Sequence, residues 1–185
     1  ARIALPAIAK GGLTGAAILS DVGLFLGAST AVYLSADYLL QVTVRDWIDK
    51  AKEILRRRLN NTAPLPKVVP IPAALMPNIA RNISMYQNTF PGSDILTRVS
   101  PYQTAKNRYQ MLKQVVKRGG LWTLPPYHSW DEYPFASSVE GGNPALGSIM
   151  AVPVHEQSIQ GGIIAGSYLI EKITPGQKFV VVVIP

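Results

Sequence analysis

Residues 148–162 read SIMAVPVHEQSIQGG, and the fold prediction rests on the change from strand to helix that follows from this stretch. Ser148–Val154 is a short, mostly apolar stretch, which is typical of a strand. The polar residues that follow lead into Ile163–Lys172, which the sequence favours as a helix despite its neighbouring glycines. Downstream, Phe179–Ile184 is a continuous apolar and largely β-branched run, the pattern of a strand buried on both faces.

An earlier helix is predicted to begin in the sequence SPYQ, with Ser100 as its N-cap. Pro101 suits the first helical position, and Gln103 stands where its side chain can reach back to the cap. Gly119 and Gly120 are expected to end this helix. The apolar positions that recur at helical spacing, and that are expected to form its buried face, are Ala105, Tyr109, Leu112 and Val116. The C-terminal half therefore reads as helix, strand, helix and strand, an α+β arrangement.

Residues 1–60 are predicted to be an apolar and then amphipathic helical segment. Asp21 and Asp37 bracket an uncharged, mostly apolar run of 15 residues, which is shorter than the roughly 20 residues that a membrane span needs. A membrane-inserting hairpin and a buried or oligomerising helix both remain open for residues 11–40. From Val44 to Leu59 apolar residues recur at helical spacing among many basic ones, which predicts an amphipathic helix.

The sequence between the two halves is rich in proline. Residues 60–77 contain five prolines, and each removes a backbone donor and disfavours helix at the preceding residue. We therefore predict an extended linker over residues 61–95, and a folded domain over residues 96–185.

The composition restricts the chemistry. Eighteen Lys and Arg against 11 Asp and Glu give a net charge of +7 and a pI near 9.7, which favours polyanions such as nucleic acid or an anionic membrane surface as partners. The chain has no cysteine, so disulfides, thiolate zinc sites and a cysteine nucleophile are excluded. It starts at Ala1 without an initiator methionine, which we interpret as a piece of a longer protein or a processed product.

The carboxylates of the C-terminal half form an unusual set, because most of them stand beside glycine, proline or another acid. The acidic residues after Ile95 are Asp131, Glu132, Glu140, Glu156 and Glu171. Carboxylates and side-chain amides without cysteine suit a hard cation such as Mg²⁺ or Mn²⁺. Hydrolysis of a phosphodiester needs a base, a cation and positive groups. Asp131 is a candidate for the base, Glu156 with Gln157 or Gln160 for the metal site, and Arg108 for the phosphate. The alternative is that acid-and-glycine loops simply make turns.

Two longer motifs lie in this region, DEYPFASSVEGG at residues 131–142 and VPVHEQSIQGG at residues 152–162. Both resemble motifs of the NucA/NucB family of small non-specific deoxyribonucleases. Asn107-Arg108 and Leu124-Pro125-Pro126 also fall where that family tends to have an Asn-Arg pair and a proline-containing approach. The resemblance covers roughly residues 106–184. It implies a metal-dependent nuclease with a layout similar to the ββα-metal nucleases, in which a strand delivers the base and the following helix delivers a metal ligand.

The resemblance also implies roles for individual residues. Asp131 would be the essential acid and base, and Glu156 would belong to the metal site with Gln157 and Gln160. The remaining catalytic, DNA-binding or supporting candidates are Glu132, Glu140, Lys106, Asn107, Arg108, Lys113 and His128. The chain departs from the family at Trp130, where many members have cysteine, and at Gln157, where asparagine is frequent.

The sequence thus predicts a metal-dependent, non-specific endodeoxyribonuclease that uses Mg²⁺ or Mn²⁺ on DNA. A toxin effector with a cognate immunity protein, secreted or delivered into the cytoplasm of a target cell, is the expected context. The alternatives are a membrane-inserting toxin module with a non-catalytic C-terminal domain, a non-catalytic nucleic-acid-binding domain, and a secreted nutritional DNase.

Overall fold

A computed structural model of the chain describes residues 30–60, 64–117, 119, 124–143 and 146–185. Its compact unit runs from Gln41 to Pro185, separate from a unit formed by Ala1–Leu40. Most of residues 11–40, for which a membrane-inserting hairpin and a buried or oligomerising helix were both open, lies outside the described residues. Within the described ranges, no helix combines the length and the apolar character that crossing a bilayer requires.

The amphipathic helix predicted from Val44 is confirmed as part of helix α1, Thr30–Arg58. Its apolar residues on one face are at most 6% exposed, namely Val44, Ile48, Ala51 and Leu55. The basic residues Arg56–Arg58 form its last turn, where positive charge offsets the helix dipole. Lys52 forms an ion pair of 2.7 Å with Glu171 near the other end of the chain.

A three-stranded sheet forms the centre of the compact unit. Its strands are β1, Val68–Pro72, β2, Ile95–Thr97, and β5, Lys178–Ile184, in the order β1-β5-β2. Strand β1 is parallel to β5, and β2 is antiparallel to it. The prediction of a strand at Phe179–Ile184 is confirmed, because β5 has a neighbour on both sides and is almost wholly buried.

The structure differs from the linker predicted over residues 61–95. Strand β1 is fully buried, and helix α2, Pro77–Thr89, follows it. The prolines are compatible with this structure because β1 pairs on one side only, so Pro70 and Pro72 need not donate to a second neighbour. Pro77 occupies the first turn of α2, where its missing N–H costs nothing. The region that was expected to connect two halves is therefore part of the core.

The remaining strands form an antiparallel hairpin of β3, His128–Tyr133, and β4, Ser148–Pro153. Helix α4, Val154–Ile170, follows β4 directly, so the hairpin and α4 make the expected ββα unit. The predicted strand at Ser148 is confirmed. The helix predicted from Ile163 begins earlier, at Val154. Pro153 is its N-cap and still has an extended backbone, with a ψ of 137°, so the helix starts directly after β4. The α+β class is thereby confirmed.

Helix α3 spans Pro101–Lys117, as Ser100 and the glycines indicated. The Ser100 hydroxyl accepts a hydrogen bond of 3.2 Å from the Gln103 backbone N–H, but the Gln103 side chain bonds Asn107 instead of reaching back to the cap. The predicted buried face is wrong. The residues that α3 buries are Asn107, Met111 and Val115, whereas Tyr109, Leu112 and Val116 are 57%, 40% and 54% exposed.

Candidate functional site

The β3–β4 hairpin holds two adjacent carboxylates that point to opposite faces, since side chains alternate along a strand. Asp131 is 3% exposed and contacts helix α2 through Asn82. Glu132 is 7% exposed, and one of its carboxylate oxygens lies 3.7 Å from the Arg108 guanidinium on α3. Helices α2 and α3 therefore both contribute to the surroundings of one short strand.

Two amides and a hydroxyl surround Asp131. Asn82 Nδ2 lies 3.5 Å from Asp131 Oδ2, and Asn82 Oδ1 accepts a hydrogen bond of 2.5 Å from the Ser148 hydroxyl. Because Ser148 donates to the amide oxygen, the amide nitrogen of Asn82 is the atom turned toward the carboxylate. Gln160 of α4 adds a second amide beside Asp131.

These surroundings change the acidity of Asp131. Burial, followed by the neighbouring charge of Glu132, raises the pKa of Asp131 from 3.8 to about 7. The amides of Gln160 and Asn82 and the positive charge of Arg108 oppose this rise in pKa without cancelling it. Burial likewise raises the pKa of Glu132, and Arg108 is the main group that opposes that rise. A carboxylate that titrates near neutral pH can accept a proton and later release it.

Glu156 lies in the first turn of α4 and is 1% exposed. One of its oxygens accepts hydrogen bonds from the backbone N–H groups of Asn78 at 2.9 Å and Ile79 at 3.1 Å, and the other accepts one of 2.6 Å from the Asn78 side chain. The carboxylate therefore caps the N-terminus of α2, where free N–H groups and the helix dipole favour negative charge.

The two predicted catalytic carboxylates belong to one polar seam, defined here as Asn78, Asn82, Asp131, Glu156 and Gln160. Asn78 and Asn82 are four residues apart on α2, and Glu156 and Gln160 are four apart on α4, so each pair lies on one helix face. Asn78 and Glu156 meet at the cap of α2. Asn82 and Gln160 both lie beside Asp131. One turn of α2 and one turn of α4 therefore connect the surroundings of Asp131 with those of Glu156.

Other predicted site residues are used in holding the fold together. Gln157 accepts a bond of 2.6 Å from Ser129 and donates one of 2.7 Å to the Trp130 carbonyl, so it fastens α4 to β3. Asn107 is 2% exposed and donates to the carbonyls of Ala136 and Ser138 at 2.9 and 3.0 Å. Its amide pins the loop that follows β3 and does not reach the surface.

Four further predicted residues make no contact with Asp131 among the described interactions. Glu140 accepts hydrogen bonds from the backbone and hydroxyl of Thr97, at 2.8 and 3.0 Å, and so ties the loop to β2. His128 Nδ1 is 2.8 Å from the Pro126 carbonyl at the start of β3. Lys106 and Lys113 are exposed on α3, and the Lys113 ammonium lies over the Tyr109 ring.

The loop between β3 and β4 depends on one glycine. A Cβ added at Gly141 would overlap the backbone carbonyl of Phe135, and the Gly141 N–H donates to the Ser138 hydroxyl. A side chain here cannot be accommodated without moving the loop that follows β3.

We therefore expect Gly141→Ala to lower the free energy of unfolding by about 3 kcal/mol, because the added methyl group clashes with backbone. Urea denaturation measures this change. Gly161→Ala is the matched control: its Cβ meets no atom of the described residues within 4 Å, and alanine in a helix is favoured over glycine by about 0.5–1 kcal/mol. Equal stabilities of the two variants would contradict the assignment.

Sequence reasoning missed three residues of this region: Asn78, Asn82 and Ser148. The first two lie in the stretch predicted as a linker. Their signal was a pair of asparagines at a spacing of four, after a proline suited to a helix start, within an otherwise apolar segment.

The donor set of the seam fits a hard divalent cation. Asp131, Glu156 and the amide of Gln160 offer oxygen ligands, and Mg²⁺ commonly binds one or two carboxylates and keeps several waters. The Gln160 amide nitrogen is buried and forms no hydrogen bond of ordinary geometry with any described residue. Turning the amide would place its oxygen beside the carboxylate, an arrangement that a cation between them favours. In the part of the chain that the structure describes, no group of three His, Cys, Asp or Glu forms a ready-made metal site.

Comparison with known proteins identifies a family for part of the chain. A search of curated proteins gives no match to the chain. A family model described as Deoxyribonuclease NucA/NucB matches residues 100–182, which include α3, the hairpin, α4 and most of β5. Asp131, Glu156 and Gln160 lie in the matched segment, whereas Asn78 and Asn82 precede it. The segment from residue 100 to residue 182 therefore belongs to the NucA/NucB family of deoxyribonucleases.

Proposed function

We propose that this protein is a metal-dependent endodeoxyribonuclease whose active site is the polar seam around Asp131. The observation that carries the proposal is the buried carboxylate of Asp131, which has a pKa of about 7. It lies beside Gln160, and Gln160 is one helical turn from Glu156 on α4. A deoxyribonuclease breaks the phosphodiester bonds of DNA, and the net charge of +7 favours association with that polyanion.

Asp131 is the general base in this proposal. Its raised pKa means that it can accept the proton of the attacking water at neutral pH and pass it on when the bond has broken. Glu156 and Gln160 are the residues that would hold Mg²⁺ or Mn²⁺, beside Asp131. The bound cation supplies electrostatic stabilisation of the charge that develops on phosphate.

Arg108 is proposed to hold a phosphate oxygen. Its side chain is 55% exposed, so it can reach DNA, while its guanidinium stays near Glu132 at 3.7 Å. The buried Glu132 thus orients the arginine. The second carboxylate oxygen of Glu132, Oε2, has no hydrogen-bond partner of ordinary geometry among the described residues. Lys106 and Lys113 are proposed to add backbone contacts, and His128 a contact to phosphate or water. Asn107, Gln157 and Glu140 support the site through the fold.

We also propose a biological context for this nuclease. An antibacterial effector with a cognate immunity protein, secreted or delivered into a target cell's cytoplasm, is consistent with the basic charge and with a chain that needs no disulfide. Membrane contact would involve the apolar residues that precede α1.

The proposal is tested by plasmid degradation. Cleavage of supercoiled plasmid with Mg²⁺ or Mn²⁺, and its loss on adding EDTA, are the expected results. Retained DNA binding without cleavage under either metal would instead identify a non-catalytic nucleic-acid-binding domain, and cleavage in EDTA would remove the metal from the mechanism.

Arg108→Gln is expected to lower kcat/KM for plasmid cleavage by about a hundredfold, because a donor to the developing phosphate charge contributes about 3 kcal/mol. Initial rates over a range of DNA concentrations measure this change. Lys113→Gln is the matched control on the same helix, and it should weaken DNA binding modestly while leaving kcat unchanged. An equal loss of kcat in both variants would assign Arg108 to general charge attraction rather than to the site.

A further inference from the structure

The outer side of helix α3 carries a row of exposed apolar side chains, which we name the α3 stripe. Its members are Tyr102, Ala105, Tyr109, Leu112 and Val116. The four large side chains are between 40% and 81% exposed. Steps of three and four residues keep these positions on one side of the helix, so the α3 stripe runs for about 21 Å. A continuous exposed apolar surface of this kind is typical of an interaction site.

The exposure of the α3 stripe follows from how α3 is anchored. Asn107, Met111 and Val115 face the interior, and the Asn107 amide holds two backbone carbonyls of the loop after β3. Rotating α3 to bury the stripe would break both hydrogen bonds and leave those carbonyls without a partner. The stripe is therefore a fixed surface of the folded unit.

The charges beside the α3 stripe all have one sign. Lys106, Lys113 and Lys117 lie along one edge, since residues three, four or seven apart share a helix face. Helix α3 contains no Asp or Glu anywhere in its sequence. None of these three lysines forms an ion pair with a carboxylate of the described residues. An apolar row with an uncompensated basic edge calls for a partner that is apolar along one line and acidic beside it.

Two other occupants fit this surface less well. A second copy of the chain, docked α3 against α3, would bring two basic and acid-free helices together, which repel each other. Nucleic acid would neutralise the lysines but would leave Leu112 and Val116 without apolar contacts, since the phosphate backbone offers none. An acidic amphipathic helix satisfies both the apolar row and the basic edge.

We propose that the α3 stripe is the docking site for an acidic amphipathic helix of a partner protein. The apolar side of that helix packs along Tyr102, Tyr109, Leu112 and Val116, and its acidic residues face Lys106, Lys113 and Lys117. The partner helix and DNA would compete for Lys106 and Lys113, whereas the apolar members of the α3 stripe take no part in the proposed nuclease reaction, so docking on them is tested separately from cleavage.

The test uses a fluorescein-labelled helical peptide of three heptads, with leucine at the first and fourth positions of each heptad and glutamate at the flanking positions. Its binding to the full chain is followed by fluorescence anisotropy, at concentrations at which the peptide alone sediments as a monomer. A second peptide carries lysine in place of every glutamate. We expect the glutamate peptide to bind at least about tenfold more tightly than the lysine peptide, a difference of about 1.4 kcal/mol.

The protein variant Leu112→Ser/Val116→Ser is expected to weaken binding of the glutamate peptide by at least about tenfold, while leaving the unfolding temperature and plasmid binding unchanged. The matched control is Leu169→Ser on α4, where an exposed leucine, at 66% against 40% for Leu112, lies outside the stripe. It should bind the peptide as the wild type does.

Three results would overturn the proposal. The first is equal binding of both peptides, or equal binding by the wild type and the stripe variant. The second is a dimer of the full chain that the stripe variant converts to monomer, which would make a second copy the occupant. The third is a loss of plasmid binding in the stripe variant as large as its loss of peptide binding, which would make the surface a nucleic-acid contact.

Discussion

Asp131→Asn is expected to lower the rate of plasmid cleavage by about a thousandfold, with DNA binding retained. Asparagine has the same shape as aspartate but cannot accept the proton of the attacking water, and general base catalysis contributes about 10²–10⁴ in rate. The neighbouring amides of Asn82 and Gln160 can still contact the side chain, so the fold is expected to persist. Initial rates of supercoil loss under saturating Mg²⁺ measure the effect, and a gel-shift assay in EDTA measures binding.

The matched control for this loss is Glu171→Gln, another acid-to-amide change in a partly buried carboxylate. Glu171 pairs with Lys52 at 2.7 Å, away from the polar seam, so cleavage should stay within a factor of about two of the wild type. A folded Asp131→Asn protein that cuts at the wild-type rate would show that another group takes the proton, and the polar seam would lose its catalytic role. A thousandfold loss in both variants would point to a general effect of charge.

The parts of the site that follow from nearby sequence were predictable. The motif around Asp131 and the stretch around Glu156 are each continuous in sequence, and the resemblance to the ββα layout implies a strand for Asp131 and the following helix for Glu156, which β3 and α4 match. The local pattern alone began that helix only at Ile163. Strand β5 was equally clear, because an unbroken apolar run fits only a strand with neighbours on both sides. In each case the residues that decide the structure are close together in the chain.

The parts that depend on distant contacts were not predictable in this way. The sequence of α3 contains two helical rows, one of larger apolar residues and one containing Asn107, Met111 and Val115. Apolar character alone favours the first row. The second is buried because the Asn107 amide satisfies two loop carbonyls, and an unpaired buried carbonyl costs about 1–3 kcal/mol. A hydrogen bond across some thirty residues of chain, and not the local pattern, sets the rotation of the helix.

The same reason explains why α2 was mistaken for a linker. The prolines of residues 60–77 indicate extended chain when only local propensity is considered. However, β5 offers a partner to β1, and Glu156 offers a cap for the N-terminus of α2. Both partners come from the other end of the sequence. Asn82 consequently reaches Asp131 from outside the segment that matches the nuclease family, and the site includes a helix that neither motif encodes.

The burial of Asp131 has a cost in stability that depends on pH. Its pKa of about 7 in the folded protein lies above the value of 3.8 that it has in an unfolded chain, so the folded state binds the proton more tightly. Stability is therefore expected to fall as pH rises from about 4 to about 7, and to level off above that range. At 1.36 kcal/mol per pKa unit, the loss from this single group amounts to about 4 kcal/mol in the metal-free protein.

Asp131→Asn removes this group, so the variant is expected to be more stable than the wild type at pH 8 by up to about 4 kcal/mol and equally stable at pH 4. Urea denaturation in EDTA at a series of pH values measures the difference, with Glu171→Gln as the variant that should show no gain. Parallel stability curves for the wild type and Asp131→Asn would mean that Asp131 titrates normally and is not the poised base. Adding Mg²⁺ at pH 8 tests the metal site as well, because a cation bound beside the ionised Asp131 stabilises the folded wild type more than the neutral variant. A site that is unstable when empty and regains stability with its ion is the behaviour expected if burial has tuned this carboxylate for catalysis.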